Sequence, residues 1–173
     1  MRVLPLALWH KGSDEELVND AHTQSLVTHG HICNQVCCAL YCLWARRLLE
    51  GNSINKAYDL AVSKLREIYR ENLEFYNELE ENVRPDDPPV GKGSGFVIDS
   101  LRSVRMVLAS ENYEKVVKSA IALGDDTDTT AAIAGGLAGI YYGFDDIPER
   151  WYLGLRGKEM VYPLIKNLLE HIG

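Results

Sequence analysis

The stretch that most constrains this chain is GDDTDTTAAIAGGLAGIYYG, at positions 124–143. It opens with Asp125, Asp126 and Asp128 among threonines and continues as a run of small apolar residues. This pattern predicts a helix that begins near Asp128 with an acidic N-terminus, where negative charge is favourable. Three carboxylates this close together raise one another's pKa unless a cation lies among them. Oxygen ligands of this kind suit Mg²⁺ or Mn²⁺ better than zinc.

The same acidic start has a simpler interpretation, in which one or two carboxylates cap the helix and the others face solvent. The glycines favour a buried position, because Gly135, Gly139 and Gly143 recur at intervals of four and so share one helix face. Each Gly costs about 1 kcal/mol relative to Ala in a helix interior. Close packing along that face would offset this cost. We therefore expect the acidic helix start to lie against the protein interior.

Charge and composition exclude several classes of function. The 173 residues include 25 acidic and 18 basic side chains, a net charge of −7, and no basic run, which argues against a nucleic-acid partner. Hydrophobic residues make up 46% of the chain, enough for a single folded domain over residues 1–173. No apolar run is long enough to cross a membrane and no signal peptide follows Met1, so we expect no membrane partner.

All four cysteines lie between positions 33 and 42. On a helix, Cys33 and Cys37 share a face, whereas Cys38 and Cys42 lie about 100° further round. Such a spread cannot surround one zinc ion, and disulfides within one helix have poor geometry. The pattern predicts reduced, buried thiols and a cytoplasmic location.

Apolar periodicity predicts an all-α fold without strands or repeats. A capping box of Ser13 and Glu16 begins the first clear helix, which ends near 28–31. An almost wholly apolar helix at about 32–50 should be central. A long helix at about 54–82 has a predicted core stripe that includes Leu60 and Leu73, and a loop follows at 83–95. The remaining helices are expected at about 96–109, 112–122, from Asp128 onward, and 157–171.

Two further segments carry candidate site residues. His29 and His31 flank Gly30 where a helix ends, and histidines in such a turn are either structural or functional. The loop GKGSGF at 91–96 is glycine-rich and leads into a helix, so it is either a plain loop or a source of backbone N–H groups for phosphate or ribose oxygens. From the residues alone both questions stay open.

The acidic glycine-rich stretch, with IPERW at 147–151, resembles the C-terminal signature of the ADP-ribosylglycohydrolases. The resemblance implies an all-helical bundle that uses two Mg²⁺ or Mn²⁺ ions to release ADP-ribose from proteins and small acceptors. It implies that Asp126, Asp128 and Thr129 bind metal and that Asp126 and Asp128 are catalytic. Many members have Gly where this chain has Asp125, and the GDD form is familiar from the dinitrogenase-reductase-activating glycohydrolases.

The resemblance also suggests which residues contact substrate. THGH at 28–31 is similar to the family's Thr-His element, whose first histidine lies beside bound ADP-ribose and corresponds to His29. The family has a GSG-aromatic segment that lines the substrate pocket, which implies substrate contacts for Gly93, Ser94, Gly95 and Phe96. Asp125, next to the metal ligands, is a further candidate contact. Downstream, Arg102 and Arg105 depart from the apolar residues of many members.

The resemblance covers the C-terminal portion of the family domain, which implies a partial domain truncated at the N-terminus. The family's Thr-Asp-Asp element, which supplies the other metal ligands, does not occur in these 173 residues. We therefore expect a hydrolase that carries half of a binuclear site and is weak on its own. We also expect Leu40, Leu43 and Trp44 to risk exposure, and the chain to form a homo-oligomer or to pair with a separate N-terminal half. The alternative is a non-catalytic remnant that binds ADP-ribose or serves structurally.

Overall fold

The fold is built entirely from helices over the residues that the structure describes. This computed structural model describes the backbone of residues 2–172 and the side chains of residues 2–170, and it contains no strand within that range. The all-α prediction is confirmed. The helices are α1 (Leu4–Trp9), α2 (Asp14–Leu26), α3 (Ile32–Leu49), α4 (Ile54–Tyr69), α5 (Leu73–Asn77), α6 (Val97–Val107), α7 (Tyr113–Ala122), α8 (Thr127–Tyr142), α9 (Glu149–Gly154) and α10 (Lys158–Ile172), with a π-helical turn at Glu78–Val83 and a 3₁₀ turn at Phe144–Asp146.

Helix α3 forms the centre of the core, as its apolar sequence predicted. It packs against α1, α2, α4, α6, α8 and the π-helical turn. The hydroxyl of Tyr41 donates to the carbonyl of Ile133 at 2.9 Å, which fixes α3 against α8. All four cysteines are buried free thiols, as expected. The expectation that Leu40, Leu43 and Trp44 risk exposure is wrong, because the chain's own helices cover α3 and all three side chains are 0% exposed.

The long helix predicted at 54–82 is divided in the structure. Helix α4 ends at Tyr69, and the side chain of Asn72 accepts a hydrogen bond from the Phe75 N–H at 3.5 Å as α5 begins. Three aromatic rings explain the change of direction, since Tyr69 and Phe75 both pack against the imidazole of His22 on α2. A straight helix could not bring both rings to one side chain at this distance.

The predicted core stripe of this segment is also partly wrong. Leu60 and Leu73 are exposed, whereas Tyr58 and Val62 are buried. Tyr58 is held inside by its hydroxyl, which donates to the Pro85 carbonyl at 3.0 Å. The π-helical turn that follows α5 then carries the chain toward the loop before α6.

The predicted close-packed glycine face of α8 is confirmed only at Gly135, where an added Cβ would lie 3.2 Å from the Tyr113 hydroxyl oxygen, and the tightest contact is at the neighbouring Gly136. An added Cβ at Gly136 would come within 2.5 Å of Leu4 Cδ2 and 3.1 Å of the Tyr41 hydroxyl oxygen. At Gly139 the nearest atom would be Tyr113 Cε2, at an ordinary 3.9 Å, and at Gly143 there is open space. Close packing is therefore found at Gly135 and is tightest at Gly136, while Gly139 tolerates a methyl group.

This difference gives a matched test of helix packing. We expect Gly136→Leu to lower the free energy of unfolding by about 1–3 kcal/mol or more, because the larger side chain overpacks the contact with α1 and α3. Gly139→Ala should instead raise it by up to about 1 kcal/mol, since it adds helix propensity without a clash. Urea unfolding measures both variants. Equal effects at the two positions would contradict the packing described here.

The C-terminal segment is the least covered part of the fold. Most side chains of α10 are exposed among those described, including Met160, Leu164 and Leu169 at more than 60%. Pro163 lies inside this helix. In the part of the chain that the structure describes, no helix is long and apolar enough to cross a membrane. Association with another chain stays a prediction.

Candidate functional site

The acidic start of α8 is shaped by two successive left-handed residues. Gly124 has φ +80° and Asp125 has φ +53°, so the chain turns sharply before the helix. The turn directs the Asp126 N–H to the carbonyl of Gly93 at 2.9 Å, and Asp126 O accepts the first helical hydrogen bond from Thr130 N at 3.0 Å. The Asp126 side chain makes no capping hydrogen bond. The simple capping interpretation therefore does not account for this carboxylate.

The Asp126 and Asp128 carboxyl groups lie against each other. The pKa of Asp128 lies below its ordinary value, first because of a hydrogen bond with the Asp126 carboxyl and then because of the Thr129 N–H, which donates to Asp128 Oδ1 at 2.8 Å. Two carboxyl groups can share a hydrogen bond only while one proton remains between them. When both are ionised, a cation between them relieves the repulsion.

The sequence predicted a cluster of three carboxylates, whereas in the structure only Asp126 and Asp128 interact. Among the described side chains of residues 2–170, no three His, Cys, Asp or Glu residues come together in a way that could hold a metal ion, so Asp125 does not complete a three-residue group with Asp126 and Asp128. The hard oxygen donors present fit a divalent cation such as Mg²⁺ or Mn²⁺, and they supply only part of its coordination.

The glycine-rich loop reaches the same helix start. Gly93 has φ +77°, and its carbonyl accepts from the Asp126 N–H and, at 3.5 Å, from the Thr130 hydroxyl. A Cβ added at Gly95 would lie 2.8 Å from Asp126 Oδ2. The structure thus brings Gly93 and Gly95 beside Asp126, although more than 30 residues separate them in sequence.

Asp99 on α6 anchors this loop. It accepts hydrogen bonds from Lys92 N at 3.0 Å, from Ser94 N at 2.7 Å and from the Ser94 hydroxyl at 2.9 Å. Partial burial raises the pKa of Asp99, but these hydrogen bonds outweigh burial and the net shift is downward. The Gly93 N–H donates to Ser103 Oγ at 3.0 Å. The N–H groups of Lys92, Gly93 and Ser94 are therefore committed to holding the loop rather than offered to a ligand.

His29 lies in the turn between α2 and α3. Its N–H donates to the Ser25 carbonyl at 2.8 Å, the Ser25 hydroxyl donates to its carbonyl at 2.9 Å, and its Nδ1 lies 2.8 Å from the Thr28 hydroxyl. The first two bonds fix the backbone of the turn, and the contact with Thr28 orients the exposed imidazole. His31 has a structural task, since its Nδ1 accepts from the Cys33 N–H at 3.1 Å at the start of α3.

Two adjacent cavities lie along these segments. The first cavity, of about 280 Å³, brings together His29, Gly95 and Thr129, which come from three distant parts of the sequence. The second cavity, of about 660 Å³, includes His29, Gly95 and Phe96. Asp126 lies next to both cavities, because its carboxylate is close to Gly95, which lines each of them. Four residues line both cavities: His29, Asn34, Gly95 and Val97.

The sequence did not predict several of the residues that line the two cavities. Arg2 and Gln24 line the first cavity, and Glu78 and Asn82 line the second. Asn34 lines both, and its amide near the start of a mostly apolar helix was a signal that could have identified it. The others lie on surfaces that only the tertiary fold brings together.

The sequence is similar to proteins of one known family. The family model for ADP-ribosylglycohydrolase matches residues 1–173. The chain is 29% identical to ADP-ribosylarginine hydrolase Tri1 of Serratia proteamaculans (strain 568), over 97% of this chain and 44% of that protein. It is 27% identical to ADP-ribosyl-[dinitrogen reductase] glycohydrolase of Rhodospirillum rubrum, over 87% of this chain and 47% of that protein. A shorter match to human ADP-ribosylhydrolase ARH3 is 40% identical over 60 residues.

The chain spans less than half the length of the first two relatives, so these matches establish kinship without covering their whole domain. The family model, by contrast, matches every residue of this chain. The all-helical architecture of the described residues is consistent with that match. The chain belongs to the ADP-ribosylglycohydrolase family.

Proposed function

We propose that this chain carries part of the active site of a hydrolase that releases ADP-ribose from modified side chains or small acceptors. The observation that carries the proposal is the first cavity, where His29, Gly95 and Thr129 meet and Gly95 adjoins the Asp126 carboxylate. A cavity that joins hydroxyl, imidazole and carboxylate groups suits a polar, anionic ligand held beside a cation. The names of the relatives, which act on ADP-ribosylated arginine or dinitrogen reductase, support the same substrate class.

Asp126, Asp128 and Thr129 would hold a divalent ion, Mg²⁺ or Mn²⁺, at the start of α8. When bound, such an ion supplies an activated water and a positive charge for hydrolysis. The Asp126 N–H bond to Gly93 and the close approach of Gly95 fix the carboxylate against the substrate loop. This chain would therefore fix the position of the residues that bind the ion relative to the cavity that binds the substrate.

The remaining groups of the first cavity would bind the substrate. His29 lines the first cavity, where its imidazole is oriented by Thr28 and can donate to an anionic or ribose oxygen. Arg2 adds a guanidinium at the same wall, suited to a phosphate group. No hydrogen bond from the N–H of Gly95 or Phe96 is found within residues 2–172, so these two can reach a ligand oxygen.

A second candidate is a non-catalytic member that binds ADP-ribose or serves structurally. The pairing of only two carboxylates, with no third His, Cys, Asp or Glu donor beside them in the described residues, favours this candidate if nothing completes the site. In the hydrolase proposal the remaining ligands come from outside these 173 residues, on a separate N-terminal half or a second chain. The two candidates differ in whether ADP-ribose is released.

Release of ADP-ribose from an ADP-ribosylated arginine or serine peptide tests the proposal. With Mn²⁺ or Mg²⁺ present, we expect the chain alone to turn over well below about 1 s⁻¹. Addition of a polypeptide that supplies the rest of the family domain should raise the rate by at least about 100-fold, since misplacement of catalytic groups by 1 Å costs that much.

The control is Asp126→Asn, which should remove the rate gained on addition of that polypeptide. Turnover by the chain alone at about 1 s⁻¹ or more would contradict the claim that the site is incomplete. Absence of release in the completed assembly, with ADP-ribose still bound, would favour the non-catalytic candidate.

A further inference from the structure

The apolar surface around α10 has no role in the proposed function. None of the main helix-packing contacts among the described residues involves α10. Its 15 residues are at the lower limit for a helix that is stable without tertiary packing. Several large apolar side chains are exposed on α10 and on the segment that leads into it. Six of them define what we call the C-terminal apolar surface: Phe144, Leu153, Met160, Tyr162, Leu164 and Leu169.

Ring contacts make this surface continuous across three elements. Phe144 of the 3₁₀ turn contacts Tyr152 of α9, with ring centroids 5.2 Å apart, and Tyr152 contacts Tyr162 of α10 at 6.3 Å. The Lys158 ammonium, at the start of α10, donates to the carbonyls of Tyr152 at 3.2 Å and Leu153 at 3.0 Å. These contacts hold α9 and α10 together, so their exposed side chains form one surface.

The size of the C-terminal apolar surface indicates a protein partner. Side chains of this size, about half exposed or more, each leave roughly 100 Å² in contact with water. The six together therefore come to about 600 Å², the upper end of the largest apolar patch on a typical monomer. Leu155, Val161 and Ile165 of the same segment are exposed as well. With them, the surface reaches the roughly 800 Å² that each partner contributes to a stable interface.

The charge of α10 favours a second copy of the chain over a membrane as this partner. The described side chains of α10 include two lysines and two glutamates, so they carry no net charge. Helices that lie on anionic membranes are instead rich in Lys and Arg on their polar face, and the whole chain carries a net charge of −7. Because the helix is neutral, two copies of it can meet without net repulsion at the contact.

An antiparallel arrangement of two α10 helices also aligns their charges. In a pair centred on Leu164, Lys158 and Glu170 lie at equal distances from the centre, so each lysine is level with the glutamate of the other copy. Lys158 uses two of its three N–H donors on backbone carbonyls, which leaves one for a carboxylate. Glu170 has only a long contact within its own chain, with 3.8 Å between its Oε1 and the Nζ of Lys166. Antiparallel helix dipoles add a further attraction.

We propose that the C-terminal apolar surface is the contact of a homodimer, in which α10 packs antiparallel against α10 of a second copy with Leu164 at the two-fold axis. The second copy would give α10 the tertiary packing that it lacks within one chain. This contact goes beyond the proposed function. A second copy of these residues brings no Thr-Asp-Asp element, so the dimer is separate from the assembly that completes the candidate site.

Sedimentation equilibrium of the chain tests the contact. We expect the native chain to be mostly dimeric at about 50 µM, as an interface of standard size allows. Leu164→Lys should raise the dimer Kd at least about 100-fold, because the two-fold axis brings two lysines together inside an apolar contact. Leu169→Lys should raise it at least about tenfold, which makes the test independent of any single variant.

The matched control is Leu73→Lys on α5. Leu73 and Leu164 are both 69% exposed in the single chain, so the same substitution is made on equally exposed surfaces. Leu73→Lys should leave the dimer Kd unchanged. A native chain that stays monomeric at about 50 µM overturns the proposal, and so does a dimer that is weakened equally by Leu73→Lys and Leu164→Lys.

The antiparallel alignment has a test of its own. Glu170→Lys should raise the dimer Kd about tenfold at low salt, because it places a lysine level with Lys158 at both ends of the contact. This increase should shrink in about 1 M NaCl, where the Debye length falls to about 3 Å. An increase that is the same at low and high salt would show that the helices are not aligned in this way. All these measurements use the chain without metal or substrate, so their outcome does not depend on release of ADP-ribose.

Discussion

Replacement of both Asp126 and Asp128 by Asn is expected to abolish measurable Mn²⁺ binding. The two carboxyl groups contact each other at the start of α8, and Asp126 makes no capping bond that would otherwise explain it. The fall in affinity should be at least about 100-fold, since even residues that only orient ligands change metal affinity about 10–100-fold. Titration calorimetry with MnCl₂, at a pH where both carboxylates are ionised, measures it.

Asp125→Asn provides the matched control. It removes one negative charge next to the pair, from a side chain that does not group with Asp126 and Asp128. Mn²⁺ affinity should therefore stay close to that of the native chain. If Asp125→Asn weakens binding as much as the double variant, the ion is held by the general negative field of the turn rather than by the two carboxylates.

Asp99→Ala is expected to have the largest effect of any single change on the glycine-rich loop. The substitution removes the acceptor of three hydrogen bonds, from Lys92 N, Ser94 N and the Ser94 hydroxyl. Hydrogen bonds to charged groups contribute about 1.5–3 kcal/mol each, and partial exposure reduces the total, so we expect a loss of about 2–3 kcal/mol in unfolding free energy. Because Gly93 and Gly95 adjoin Asp126, Mn²⁺ affinity should fall as well.

Ser94→Ala removes one of the three bonds and should cost about 1 kcal/mol. The pKa of Asp99 is lowered in the folded chain, so its stabilisation is fully present above the ordinary value of 3.8 and is lost as pH falls through the folded pKa. The difference between the native chain and Asp99→Ala in urea unfolding should therefore shrink at acid pH. A difference that stays constant from neutral to acid pH would show that Asp99 acts by packing alone.

The sequence predicted the parts of the fold that depend on local pattern. Helix α8 begins at Thr127 behind an acidic turn, and α3 is central because nearly all of its residues are apolar. The capping box of Ser13 and Glu16 is present, with both hydrogen bonds formed. Each of these follows from residues within a few positions of one another.

Features that depend on tertiary contacts could not be predicted in this way. The break after Tyr69 reflects packing around His22, an aromatic contact between residues 47 positions apart. The choice of Gly136 over Gly139 as the tight contact depends on where Leu4 and Tyr41 lie. The hydrogen bond from the Asn82 amide to Glu78 depends on a π-helical turn, for which the helix-forming residues of this segment give no signal.

In the candidate site, too, residue types could be predicted from the sequence, whereas their contacts depend on the tertiary fold. Candidate ligand residues such as Asp126 and His29 can be recognised in the sequence. Their proximity to Gly95, by contrast, is a property of the fold. Asp99, which fixes the loop, resembles an ordinary first-turn acid of a helix until its partners are known. The expected exposure of α3 failed because α1, α2 and α4 cover it within this chain.

We propose that the start of α8 holds a divalent cation beside the glycine-rich loop. Anomalous scattering at the manganese absorption edge, from crystals of the chain grown with Mn²⁺, tests it most directly. We predict an anomalous peak within bonding distance of both the Asp126 and Asp128 carboxylates, next to Gly95. If manganese binds in the crystal only at other residues and no peak appears at this helix start, the proposed cation site is wrong.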